Sequence, residues 1–169
     1  MKRVVVGVVS AVAGSVLLGG CSPANLSLAA VRLDGDGTPV ATLRLCDGDR
    51  GSRAELSSWP TGDAGASEPV DQQTGWRPDF GAEIEVSTAT FPLFSPPAAW
   101  HTEATGPQRL RPGRTYALDV TGPRSGWDPY DIVVYFTTAD LNRLKPGQVW
   151  ADDRAMSRDD FDDLVDDAC

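Results

Sequence analysis

Three cysteines, a single histidine and 24 acidic residues make up the reactive inventory of the 169-residue chain. Nucleophilic catalysis needs a base beside the nucleophile. The only histidine, His101, follows Trp100 after a Pro-Pro pair, and the chain has no Gly-x-Ser-x-Gly elbow. His101 is therefore expected to be a surface loop residue and not a catalytic base. Glu83 and Glu85 fall on one face of a predicted strand, about 7 Å apart by strand geometry. Glycoside hydrolysis wants two carboxyls in a cleft with one pKa raised; an exposed, ionised strand face is the expectation here. Asp34-Gly-Asp36-Gly and Asp47-Gly-Asp49 offer oxygen ligands, but the third ligand and terminal Glu of a calcium loop are missing. They read as turns. One histidine and scattered cysteines make no zinc set, so no metal, cofactor or catalytic group is expected.

The start of the chain has its own chemistry. Lys2 and Arg3 precede an uncharged run over residues 4–18, rich in Val, Ala and Leu. That is the charged region and short apolar core of a secretory signal, short of the roughly 20 residues a membrane span needs. Leu18-Gly19-Gly20-Cys21 resembles the bacterial lipobox. The resemblance implies cleavage before Cys21 and a diacylglyceryl group on its sulfur. Two acyl chains hold a protein stably on a bilayer. The expected location is the extracytoplasmic face of a cell membrane, with the membrane as a partner through the lipid. With Cys21 so used, Cys46 and Cys169 remain, and an exported domain with two spare thiols favours a disulfide between them.

Residues 1–20 hold two of the 15 cations and none of the 24 acids, so the remainder carries 13 cations against 24 acids. Such acidity disfavours nucleic acid and anionic headgroups. The domain is expected to stand off the bilayer.

The elements that must position these groups read mostly as strands. Residues 26–33 and 39–46 predict a hairpin around the Asp34–Gly37 turn. Residues 47–81, rich in Gly, Asp, Ser and Pro, predict a long irregular excursion that admits short strands. Residues 82–87 alternate, with Ala82, Ile84 and Val86 inward. Pro92, Pro96 and Pro97 should break regular structure around Phe91 and Phe94. Residues 114–121 form a strand with Tyr116, Leu118 and Val120 inward. Residues 131–138, apolar on both faces, predict a central strand covered on both sides. Thr138 starts one helical turn. Ser157 with Asp160 resembles a capping box, and Phe161, Leu164, Val165 and Ala168 then mark one apolar helix face. The aspartates around them read as a solvated face. Trp59, Trp76, Trp100 and Trp127 lie in Gly/Pro-rich segments. Some should fill the core, and at least one is a candidate to stack on a sugar or a partner.

Leu110, Pro112, Gly113 and Tyr116 sit in a Leu-x-Pro-Gly-x-x-Tyr run. It resembles the tyrosine-corner segment of fibronectin type III and other immunoglobulin-like sandwiches. The resemblance covers about eleven residues; the immunoglobulin Cys…Trp…Cys spacing is absent, and a terminal helix is foreign to that family. As a whole the chain also resembles small lipoproteins of high-GC Gram-positive bacteria, a likeness that implies no activity.

The expected architecture is mostly β: an immunoglobulin-like antiparallel β-sandwich with a short C-terminal α-helix, a compact α+β domain being the alternative. Residues 1–20 are the signal peptide, 21–25 a lipidated tether and 26–169 one domain. The expected function is a non-catalytic envelope lipoprotein that binds or scaffolds, with an envelope protein or glycan as partner. An envelope hydrolase, or a solute-capturing lipoprotein of a transporter, is the alternative.

Overall fold

The computed structural model describes residues 24–62, 73–80, 85–123 and 129–169. The signal peptide, Cys21, Glu83 with Ala82 and Ile84, and Trp127 lie outside the described residues.

Two β-sheets face each other. The first holds β1 (Ala24–Asn25), β4 (Arg53–Pro60), β5 (Gly75–Pro78), β7 (Thr102–Thr105), β8 (Arg114–Pro123) and β9 (Pro129–Thr137) in the order β1-β9-β8-β4-β5-β7. The second holds β2 (Ala29–Leu33), β3 (Pro39–Leu43), β6 (Ala89–Pro92), β10 (Gln148–Ala151) and β11 (Arg154–Ser157) in the order β11-β10-β2-β3-β6. Every pairing is antiparallel except β1 with β9. Among the described residues there are also two α-helices, α1 (Thr138–Asn142) and α2 (Arg158–Ala168).

Alternation explains the core. Because side chains repeat every second residue, cross-strand partners share a face. Trp76, Leu56, Leu118 and Val134 form one buried row; Ala54, Val120 and Ile132 form a second. Ser58, Tyr116 and Phe136 form a third, with Tyr116 stacked on Phe136 at 5.4 Å. Val31, Ala41 and Phe91 line up in the opposing sheet. The Asp34–Gly37 hairpin forms as the sequence predicts. Oδ1 of Asp34 accepts the Thr38 N–H at 2.9 Å, Oδ1 of Asp36 accepts it at 2.8 Å, and Gly37 takes φ 86°.

The tyrosine-corner residues make the local bonds that their resemblance implies. The Tyr116 hydroxyl accepts the Arg111 N–H at 2.7 Å and donates to the Arg109 carbonyl at 3.4 Å. Burial raises the phenol's pKa, against the Arg111 hydrogen bond.

Helix α2 begins in a complete capping box, with Ser157 and Asp160 bonding each other's backbone N–H. Phe161 and Val165 are buried, and Leu164 and Ala168 pack against the same core. Cys169 ends the helix and is bonded to Cys46, just beyond β3, with Cα atoms 5.3 Å apart. The bond closes a separation of 123 residues, which in the chain-entropy picture is worth up to about 5 kcal/mol.

Several expectations need correction. Residues 47–81 are not simply irregular: β4 is a full eight-residue strand inside the first sheet. Its Ser-Ser pair hides the alternation, because Ser58 fills an inward slot. Its hydroxyl donates to the Thr74 carbonyl at 2.7 Å, and the buried Arg114 donates to it at 3.1 Å. Of the strand expected at 82–87, the described part is one bridge between Val86 and Gly51. Phe91 belongs to β6, whose edge position accommodates Pro92. β9 is not covered on both sides: Ile132, Val134 and Phe136 are buried, but Tyr135 is 47% exposed. Between α1 and α2, where the sequence predicts no strand, β10 and β11 form a hairpin around Asp152 and Asp153, both at positive φ. Aspartate tolerates that conformation in a two-residue turn.

The sandwich has two distinct ends. β1 pairs with the start of β9, and Ser27 beside it donates to Asp152 in the β10–β11 turn at 3.0 Å. The opposite end carries the tyrosine corner and α1, joined by the Thr138 hydroxyl donating to the Arg111 carbonyl at 3.2 Å.

Candidate functional site

Most residues that could have carried chemistry are placed in structural roles. His101 is exposed, caps the short 3-10 turn Ala98–Trp100 at φ 43°, and its ring has no hydrogen-bond partner among the described residues. Asp36 is held down to about 2, chiefly by hydrogen bonds from Thr38, and its own N–H donates to Asp34, so this pair closes a turn. Asp47 is exposed while Asp49 is buried, with the Asp49 N–H bonded to the Cys46 carbonyl. Among the described residues no group of three or more His, Cys, Asp or Glu side chains could hold a metal ion. Asp160 is committed to the helix cap, where the Ser157 hydrogen bonds lower its pKa, and Asp162 pairs with Arg44 at 2.6 Å.

The tryptophans divide. Trp76 and Trp100 are each 2% exposed and cluster with Phe91; the Trp76 indole donates to the Leu93 carbonyl at 2.7 Å. Their Gly/Pro-rich surroundings are turns folded over the core, so neither can stack on a ligand. Trp59 and Trp150 remain half-buried.

Both reach Tyr135 of β9 in the first sheet. Trp59 projects outward from β4 and packs its ring edge-on against Tyr135 of β9, with centroids 6.2 Å apart. The Trp150 indole donates to the Tyr135 carbonyl at 2.8 Å. Ala117 on β8 lies directly opposite Tyr135 and is almost fully covered, which makes it the floor between the rings. Arg53, Ser57 and Tyr135 on this face are exposed.

The next row along the face is polar. Register places Glu55 directly opposite Asp119, and Asp119 directly opposite Val133. Like charges facing each other across a ladder are destabilising. Burial raises the pKa of Asp119, and the charges of Glu55 and Asp131 raise it further; Arg53, paired with Glu55, opposes them. Two carboxylates, a guanidinium and two aromatic rings therefore share one open sheet face. Such a face can stack on an apolar ring surface and accept hydrogen bonds from hydroxyls. Reasoning from the sequence missed Glu55 and Asp119, since only the β4–β8 register brings them together; it weighed Glu83 and Glu85 instead. Glu85 pairs with Arg50 at 2.7 Å.

No described helix is long and apolar enough to cross a membrane. No family model, curated protein or solved structure matches the chain.

Proposed function

We propose that the protein is a lipid-anchored, non-catalytic binding module of the bacterial cell envelope, built as an immunoglobulin-like sandwich. The anchor rests on Leu18-Gly19-Gly20-Cys21 and the apolar run before it. The fold assignment rests on two packed sheets and the tyrosine corner. The observation that carries the binding role is the open aromatic and carboxylate face of the first sheet. Its ligand is an envelope glycan: sugar C–H faces lie on Tyr135 and Trp59, and hydroxyls donate to Glu55 and Asp119. The surplus of acids turns nucleic acid away.

The Leu26 N–H bonds the Asp131 carbonyl, and Ala24 pairs with Tyr130. On a chain held at Cys21, sheet pairing therefore begins three residues from the lipid, a span of about 10 Å. The end bearing β1 and the Cys46–Cys169 bond then faces the bilayer.

The test has two parts. Mass spectrometry of the native mature protein should find a diacylglyceryl group on Cys21; an unmodified Met1 would overturn the anchor. Calorimetric titration with soluble cell-wall glycan fragments should show saturable binding that Tyr135→Ala weakens by about tenfold. No saturable binding to such fragments would overturn the ligand class.

A glycan hydrolase is the second reading. It is favoured by one observation: Asp119, with its pKa raised, stands across the ladder from Glu55. Cross-strand Cβ atoms are about 5 Å apart, which puts the two carboxyls on adjacent strands as a retaining pair requires. Turnover of the same fragments, lost in Asp119→Asn, would establish it.

A further inference from the structure

Five of the described arginines have acidic partners. Arg44, Arg50, Arg53, Arg143 and Arg154 are ion-paired with Asp162, Glu85, Glu55, Asp140 and Asp152. Arg32, Lys145 and Arg158 have no acidic partner among the described residues, and all three line a single hollow of about 400 Å³.

Three rigid mounts bring these cations together. Arg32 sits near the end of β2. Lys145 opens a turn closed by the Gln148 side chain, which accepts the Lys145 N–H at 2.9 Å, with Gly147 at φ 87°. Arg158 is the first residue of α2, fixed by the Ser157 capping box. The walls include Leu33, Leu141 and Leu144, with Leu141 buried. Among the described residues Asp34 is the one acid lining the hollow, and its Oδ1 already accepts the backbone N–H groups of Asp36 and Thr38.

Three like charges lining one hollow repel one another, and the single carboxylate there offsets only part of that charge although acids outnumber bases 24 to 15. Apolar walls reduce local screening, which strengthens both that repulsion and the attraction for an anion. Two guanidinium forks and an ammonium match an oxyanion presenting several oxygens, and guanidinium pairs with phosphate in bidentate fashion. The volume exceeds that of a bare phosphate, so it also admits the group to which the phosphate is attached.

We propose that this hollow is a binding site for a phosphate-bearing solute or polymer. Arg32 and Arg158 grip the phosphate oxygens, and Lys145 supplies the third positive charge. The site is separate from the aromatic sheet face. It lies at the end of the sandwich opposite β1, beside α1 and the Asp34–Gly37 turn, about 30 Å along the strands of the first sheet. If the chain is held at Cys21, the hollow opens away from the bilayer, which selects a soluble or wall-borne phosphate over a lipid headgroup.

The test is calorimetric titration of the full chain with inorganic phosphate and tripolyphosphate at low ionic strength. Saturable tripolyphosphate binding is expected, weakening as salt is added. Arg32→Gln, Lys145→Gln and Arg158→Gln should each lower affinity by about tenfold. Arg109→Gln, which removes an exposed cation outside the hollow, should leave affinity unchanged. Thermal melts keep the comparison sound: the three variants should melt no lower than the parent, because each relieves repulsion. Absence of saturable binding, or an equal loss in Arg109→Gln, would overturn the site. In a parallel arm, phosphatidylglycerol vesicles should not retain the protein through these residues. Retention lost in the three variants, with no tripolyphosphate binding, would assign the hollow to headgroups and overturn the soluble ligand.

Discussion

The two sheets solve the same problem differently. The five-stranded sheet has α2 packed over β10 and β11, with Phe161 and Val165 sealing that side and the Cys46–Cys169 bond fastening the end of the helix. The six-stranded sheet keeps its outer face open, with Tyr135 exposed and Glu55 set against Asp119. The covered side is arranged for stability. The open side holds an arrangement that costs stability, as uncompensated groups do where a surface serves binding.

If that contrast is sound, the largest losses should come from the covered side. Phe161→Ala should remove about 3–5 kcal/mol, the range for a buried aromatic that leaves a cavity, measured by urea unfolding. Reducing the Cys46–Cys169 bond should cost about 2–5 kcal/mol. A loss of less than about 1 kcal/mol from either would mean that the helix is an accessory and the contrast is false.

Tyr116→Phe, in the core between the sheets, should cost about 1–3 kcal/mol, because it strands the Arg111 N–H without its acceptor. Since burial raises the Tyr116 pKa, the parent phenol stays neutral at neutral pH and the loss should not change with pH there.

Asp119→Asn on the open face should do the reverse and stabilise, by less than about 1 kcal/mol at neutral pH. The sign follows from linkage. The folded state holds the Asp119 proton more tightly than the ordinary value of 3.8, so ionisation of Asp119 costs stability as pH rises above that value. The gain from Asn should be full at neutral pH and vanish below about 3.8. Asp36 behaves oppositely. Its carboxyl is held at about 2, so its contribution is present above 3.8 and fades between 3.8 and about 2. Melting curves of parent and Asp119→Asn across that range should converge on acidification; divergence would reverse the assignment of strain to the open face.

Much of this contrast was legible in the sequence on its covered side. The capping box, the apolar stripe from Phe161 to Ala168 and the cysteine count are local patterns, and the structure contains the helix and the bond they suggested. The tyrosine corner was legible for the same reason. The open side was not, because its features depend on register. Nothing local says that Glu55 will face Asp119, or that Tyr135 in an apolar run will point outward. β4 was hidden because Ser58 and the buried Arg114 satisfy each other inside the sandwich, so polar letters stand where alternation demands apolar ones. β6, β7, β10 and β11 have four residues each, too few for a period to emerge. The Asp-Asp pair at 152–153 was the one available signal for the last hairpin, and its turn chemistry is what the structure uses. Some tryptophans were expected in the core, and Trp76 and Trp100 are there; which ones was not legible, because the proline and glycine around them mark turns, and turns can fold back over a core.

The most direct test is residue-resolved. Amide chemical shifts of the isotopically labelled protein should be followed while soluble cell-wall glycan fragments are added. Perturbations are predicted to gather on Trp59, Ala117, Asp119 and Tyr135, and to spare α2 and β11. Perturbations centred on the helix-covered sheet, or none at saturating fragment, would contradict the assignment of the open face as the binding surface.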